Sequence, residues 1–421
     1  MASKLAKVSN TYNKVSDAIL KFLHKHGWIL IIAVGIILST IGKAFAFYYR
    51  SGDFNSFLIH WMNRYKELGF IKALTNHYTE IVDGVSQSKL ISDYTPFYYN
   101  ILIILSQFVP EAGYVYAIKI VDILFELSLG AGFFFISYHV RKNFNIAAIV
   151  GVIALVIPAV IINGAIWGQC DIIYVSFVVW SFYFLLKEKG WVSVLMFSIA
   201  FAIKLQAIFF LPFLFLMLLK RKVRLYQFLI IPVVYFIFML PNLIAGAGFG
   251  YLVTIYGNQT GSYTRLTLSA PSIYSYLPGS DTLGELLTIP GIVLCLVSTM
   301  CYVFYYFKKD IDFSAKNMIT LALFSTLVTT FLLPRMHERY FILADILAVL
   351  YVAITKRGYF KALLINVASA LCTLSWVVGL NVGPFGIQIA TTLNLVAIIL
   401  MIALDLPKLD LIKKETSQEQ C

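Results

Sequence analysis

Apolar runs of roughly twenty residues recur from Trp28 to Leu406, the length a helix needs to cross a hydrocarbon core. Few folds accommodate such repetition. A chain of 421 residues would otherwise suggest two or three soluble domains, yet 60% of these residues are hydrophobic and 13% charged. Soluble domains run nearer half apolar and a quarter charged, so a water-soluble protein is excluded. The expected fold class is an all-α polytopic membrane protein.

The runs fall at 28–47, 114–138, 146–162, 172–186, 191–203, 207–219, 226–245, 285–307, 317–333, 341–355, 362–380 and 387–404. That makes about twelve crossings, within a range of ten to thirteen. The net charge of +12 collects between them. Lys4, Lys7, Lys14, Lys21 and Lys25 precede the first run. Arg141-Lys142, Lys220-Arg221-Lys222-Val223-Arg224, Lys308-Lys309 and Lys356-Arg357 occupy alternate loops. The positive-inside rule makes that side cytoplasmic, with both termini on it. No basic stretch interleaved with aromatics lies outside this pattern, so a nucleic-acid partner is not expected.

Ala44-Phe45-Ala46 resembles a signal-peptidase site. The even parity needs the first span, so it is read as a retained signal anchor. Val15, Ile19, Phe22 and Leu23 share one helical face, and residues 1–27 are expected to form an amphipathic cytoplasmic N-terminus. The apolar stretch 97–109 reaches only about 20 Å as a helix. Counting it as a crossing would invert every loop before Lys187. It is read instead as a surface helix within one large external loop, 48–113, that carries short helices. A second long outside loop covers about 246–284. Residues 341–406 supply the C-terminal transmembrane helices and 407–421 a cytoplasmic tail. The five cysteines show no CxxC or zinc-like spacing, so neither a disulfide framework nor a metal site is expected.

Charge within a span costs at least about 2.5–3.5 kcal/mol at its centre, so each polar interruption needs a reason. Most lie on the expected outer side. Asp53, in Ser51-Gly52-Asp53-Phe54, reads either as a general base on a hydroxyl or as a cap for the helix that follows. Asp93-Tyr94-Thr95-Pro96 is ordinary turn chemistry. Trp167-Gly168-Gln169-Cys170-Asp171 forms another polar island. Lys204, with Gln206 close by, interrupts an apolar hairpin. It is either a snorkelling lysine or a point charge for a phosphate at headgroup level. Arg335, His337, Glu338 and Arg339, ending at Tyr340, put arginines on the side that disfavours them, and an anionic ligand would explain that. Lys119, Asp122 and Glu126 share one helix face and read as an internal ion-pair network. Asp345 reads in the same way.

The order of these pieces resembles the GT-C superfamily of integral-membrane glycosyltransferases, in particular bacterial relatives of GPI mannosyltransferase II. It is also similar to the dolichyl-phosphate-glucose-dependent glucosyltransferases. The matching elements are Gly52-Asp53-Phe54, His60-Trp61, Asp93-Tyr94-Thr95-Pro96, Trp167 to Asp171, Ile203-Lys204-Leu205-Gln206 and Met336 to Tyr340. Thr95 and Leu205 stand where those families carry proline. The resemblance implies a GT-C-like catalytic module over 28–340 and transfer of one hexose from a polyprenyl-phosphate sugar to an acceptor hydroxyl, with inversion. By analogy, Asp53 is the general base. Lys204, Arg335, His337 and Arg339 bind the donor phosphate. His60, Trp61, Asp93, Tyr94, Trp167, Gln169, Asp171, Gln206, Glu338 and Tyr340 support the substrates. A lipid monophosphate donor offers no diphosphate for a metal to bridge, so no obligatory metal or other cofactor is expected. The expected partners are the bilayer, the lipid-linked donor and a glycan or glycolipid acceptor. The expected location is a bacterial plasma membrane with the active site outside. A transporter or flippase of lipid-linked sugars is the alternative, and a non-catalytic subunit of a polysaccharide-assembly machine is a third reading.

Overall fold

The structure is a computed structural model that describes residues 2–82, 85–261, 263–379 and 382–409. Of the expected tail at 407–421, residues 410–421 lie outside them. Helices dominate, and seven of those described are long and apolar enough to cross a bilayer: Lys25–Ala44, Glu111–Arg141, Leu225–Ile244, Asp281–Lys308, Ala315–Leu332, Tyr359–Val377 and Gly383–Asp405. Phe144–Leu155 and Pro158–Trp167 make an eighth if taken together, bent by 46° at their break. Pro158 opens the second piece, where its missing N–H costs nothing. The chain is thus an all-α polytopic membrane protein.

The remaining expected crossings are helices too, but short ones. Asp171–Leu186 has 16 residues, and Gly190–Ile203 and Ile342–Thr355 have 14 each. At 1.5 Å per residue they reach about 21–24 Å. They are also well enclosed: Ile172, Ile173, Val175, Val178 and Val179, and Leu343, Ile346 and Leu347, have no solvent exposure at all. Longer helices stand outside them with apolar faces bare, as at Leu296, Val297 and Phe304.

Loop-to-loop contacts sort the connections into two sets. On one face Ser51 Oγ donates to the Trp167 carbonyl at 2.8 Å, Thr95 Oγ1 to the Ile203 carbonyl at 2.8 Å, and Arg335 Nη1 to the Thr260 carbonyl at 2.8 Å. On the other face Lys220 Nζ donates to the Lys309 carbonyl at 2.6 Å and Lys222 meets Glu188 at 3.3 Å. Arg141 reaches the Ala353 carbonyl there as well. Residues 53 and 167 share a face, so an even number of crossings separates them. Glu111–Arg141 with the bent pair, taken as one span, gives that number, and Pro96–Phe108 has only 13 residues, too few to cross.

Two expectations change, both after the first helix. Ala2–Ala44 is one unbroken 43-residue helix, in which residues 2–24 precede the apolar stretch Lys25–Ala44. No proline interrupts them. The side chains of Val15, Ile19 and Leu23 lie outside the described ones. The loop expected to be external, 48–113, holds a β-hairpin besides its helices: His77–Val82 pairs antiparallel with Val85–Leu90. Finally, Lys119, Asp122 and Glu126 do not pair with one another. Lys119 Nζ donates to the carbonyls of Ala46 at 2.8 Å and Tyr49 at 2.7 Å, closing the end of the first helix. Glu126 is paired with Lys43 of that helix. Helix-face spacing shows which side chains are neighbours, but not which longer-range partner lies closer.

Candidate active site

The backbone around Trp167 explains how the site is assembled. Ile161–Trp167 winds as a π-helical turn, a widened form common at functional sites. Gly168 then takes a φ of +76°, a left-handed conformation that a β-carbon disfavours. The chain folds back, so that the Gln169 N–H donates to the Asn163 carbonyl at 3.0 Å. Trp167, Gln169 and Asp171 are thereby presented in close succession at the start of a buried helix.

Asp53 meets this motif directly. Its Oδ2 accepts from Trp167 Nε1 at 3.1 Å and from Gln169 Nε2 at 2.6 Å. Gln169 Oε1 in turn accepts from Tyr94 O–H at 3.0 Å, and Trp61 packs edge-on against Tyr94. No described residue hydrogen-bonds Asp53 Oδ1. The capping alternative for Asp53 is overturned, because its side chain makes no cap bond and Ser51 Oγ accepts from the Phe54 N–H at 3.2 Å instead.

Behind Asp53 lies a balanced charge cluster. Asp171 has no solvent exposure, and its Oδ1 takes Lys204 Nζ at 2.7 Å. Asp171 Oδ2 accepts from Asn163 Nδ2 at 3.0 Å and faces Arg339 Nε at 3.9 Å. Arg339 Nη1 donates to Glu338 Oε1 at 3.2 Å, and its guanidinium lies over Trp167 at 5.2 Å and Tyr340 at 5.5 Å. Burial alone would weaken the Lys204 charge, but Asp171 more than offsets it and lifts the ammonium above the ordinary lysine value. For Glu338, burial pushes upward, yet the hydrogen bond to His337 and the Arg339 charge hold the carboxyl below its usual range. Burial lowers His337, with Glu338 opposing. Asp93 opens to solvent. The protein packed around its inner side still desolvates the carboxyl enough to push it upward, against the pull of Arg339 and Lys204.

The expected residues are therefore not equally placed. Asp53, Trp61, Tyr94, Trp167, Gln169, Asp171, Lys204, Glu338, Arg339 and Tyr340 form one connected set. His337 joins it through ring contacts with Tyr340 at 5.0 Å and Glu338 at 3.8 Å. Arg335 does not: its guanidinium is held by Thr260 and by Thr288 Oγ1 at 3.2 Å. Its backbone, at a φ of +61°, is pinned to the Leu266 carbonyl. Gln206 is buried in the turn after Lys204, its Oε1 without a partner, and His60 is exposed on Ile59–Leu68. Sequence reasoning missed Asn163, whose signal was only a polar residue in an apolar run. It also missed Tyr263, 45% exposed and edge-on to His337 at 4.7 Å. Among the described residues, no group of three or more His, Cys, Asp or Glu could hold a metal ion.

A half-open carboxylate beside buried, paired cations is suited to take a proton from a hydroxyl while an anionic group is held nearby. A search among curated proteins finds no match. The family model described as glycosyltransferase family 87 matches residues 94–333, a stretch that includes Tyr94, Trp167, Gln169, Asp171 and Lys204.

Proposed function

The chain belongs to glycosyltransferase family 87, whose model covers more than half of it, and on that premise we propose the following reaction for this membrane glycosyltransferase. One hexose passes from a polyprenyl-phosphate sugar to an acceptor hydroxyl of a glycan or glycolipid. The acceptor oxygen attacks the anomeric carbon as its proton moves to Asp53 Oδ1. The bond from that carbon to the phosphate oxygen breaks, and the electron pair stays on the phosphate. A single displacement inverts the anomeric centre. The cationic side of the cluster stabilises the charge returning to the phosphate.

The observation that carries this reading is the hold on Asp53. Trp167 and Gln169 both donate to Oδ2, which fixes the carboxylate and leaves Oδ1 for the acceptor. Such fixed geometry is worth more to a base than to a solvated loop residue. About twelve crossings and a site on the outer face follow from the same reading, since the basic loops form the opposite face. A bacterial plasma membrane, both termini inside, and the kinship with relatives of GPI mannosyltransferase II belong to it too.

The test is a transfer assay on purified protein in nanodiscs, with a panel of radiolabelled polyprenyl-phosphate hexoses and a crude lipid extract as acceptor. Label reaching a new product with wild type, and at least about a hundredfold more slowly with Asp53→Asn, is the expected result. Equal transfer by both proteins would remove Asp53 from the mechanism. Movement of sugar-lipid across liposomes by both, without transfer, would establish a transporter instead.

A further inference from the structure

Lys204 and Arg339 look alike in sequence but are held very differently, and we propose that they divide the work. Arg339 meets the donor phosphate, Lys204 is a strut, and Asp171 is the shared anchor that positions both. This rests on the lipid-phosphate donor proposed above.

Lys204 is committed. Its ammonium lies 2.7 Å from Asp171 Oδ1, with side-chain exposures of 8% and 0%. The segment that carries it is tied down as well, because Thr95 Oγ1 occupies the carbonyl of Ile203. Removing Lys204 from Asp171 to serve a ligand would strand a buried carboxylate, a heavy cost in any low-dielectric site.

Arg339 is committed far less. Its Nε faces Asp171 Oδ2 across 3.9 Å, beyond hydrogen-bond range, and has no hydrogen-bond partner although it is buried. Only Nη1 donates, to Glu338. The guanidinium plane rests on Trp167 and Tyr340, contacts that let it slide without losing its packing. Its fork geometry suits two phosphate oxygens, which an ammonium cannot match.

Charge balance points to the same residue. Lys204 and Arg339 stand against Asp171 and Glu338, so an arriving anion has to displace an existing contact. The 3.9 Å contact is the weakest, and yielding it leaves Asp171 still held by Lys204 and Asn163. Asp171 is therefore a positioning residue, and Arg339 is the one that touches the lipid phosphate.

The experiment measures binding of a polyprenyl phosphate to purified protein in nanodiscs, together with donor KM and thermal stability. Arg339→Gln is expected to weaken polyprenyl-phosphate binding and raise donor KM at least tenfold in its folded fraction. Arg339→Lys should recover only part of that loss. Lys204→Met is expected to lower the melting temperature, and its folded fraction, in which Asp171 draws on Arg339, should lose at least threefold less binding than Arg339→Gln. Comparable binding losses in Arg339→Gln and Lys204→Met would overturn the division. If Lys204→Met yields no folded protein, the Arg339 pair decides: unchanged binding in Arg339→Gln, or full recovery in Arg339→Lys, overturns it. A wild-type protein that transfers sugar but binds no polyprenyl phosphate overturns the donor reading and this assignment together.

Discussion

The Lys43–Glu126 pair invites a direct test, because nothing about it depends on the reaction. It joins the first helix to Glu111–Arg141 deep in the protein, with side-chain exposures of 5% and 1%. Glu126 Oε1 finds no hydrogen-bond partner, so the pair is not fully satisfied. A buried pair in that condition recovers little of its desolvation cost, whereas either charge alone recovers none. Lys43→Met and Glu126→Leu are each expected to destabilise by about 3–5 kcal/mol. The double variant Lys43→Met/Glu126→Leu should cost less than either single change, and swaps of this kind are often neutral or stabilising by about 1–4 kcal/mol. Denaturant unfolding in detergent, arranged as a double-mutant cycle, measures all three. Single variants within 1 kcal/mol of wild type, or a double variant equal to the sum of the singles, would refute the reasoning.

Three further outcomes are expected. Gly164→Ala would place a β-carbon 2.6 Å from Glu126 Oε1 and 3.4 Å from the Asp122 β-carbon, and overpacking of that kind costs about 1–3 kcal/mol in the same unfolding assay. Burial holds His337 below its ordinary value. Its share of stability is thus complete above about pH 6.5 and is lost as the pH falls. Melting curves from pH 7.5 to 5.5 should flatten in His337→Gln, and an unchanged slope would count against the buried neutral imidazole. Transfer should also survive EDTA, and loss of activity restored by a divalent ion would show that a metal is required.

Much of the site could be read from the sequence because charge in an apolar chain is conspicuous. Trp167 to Asp171 and Glu338 to Tyr340 are polar islands between runs of Ile, Leu and Phe, and the structure brings them together. Their pairing was not readable. Lys204 reads as a free cation until Asp171, far off in sequence, is found 2.7 Å away. Arg335 belongs to the same dense motif as Arg339, yet its left-handed backbone turns it toward Thr260. The hairpin at His77–Leu90 did leave a signal, since Asp83-Gly84 divides two stretches rich in β-branched and hydroxyl residues. Its setting among apolar runs masked that signal. Crossing number suffered from the opposite problem: hydropathy marks the short helices as readily as the long ones, and length alone separates them.

That difference in length has a consequence for traffic. Asp171–Leu186, Gly190–Ile203 and Ile342–Thr355 start or end at the site, and all fall about 6–9 Å short of a 30 Å hydrocarbon core when measured from the basic face. Longer helices stand around them, so a bilayer matched to the longer helices would extend past the ends of the short ones. For the lipid-linked donor proposed above, that step favours an approach from the side, with its prenyl chain still in hydrocarbon, whereas an acceptor carried in water would come from above.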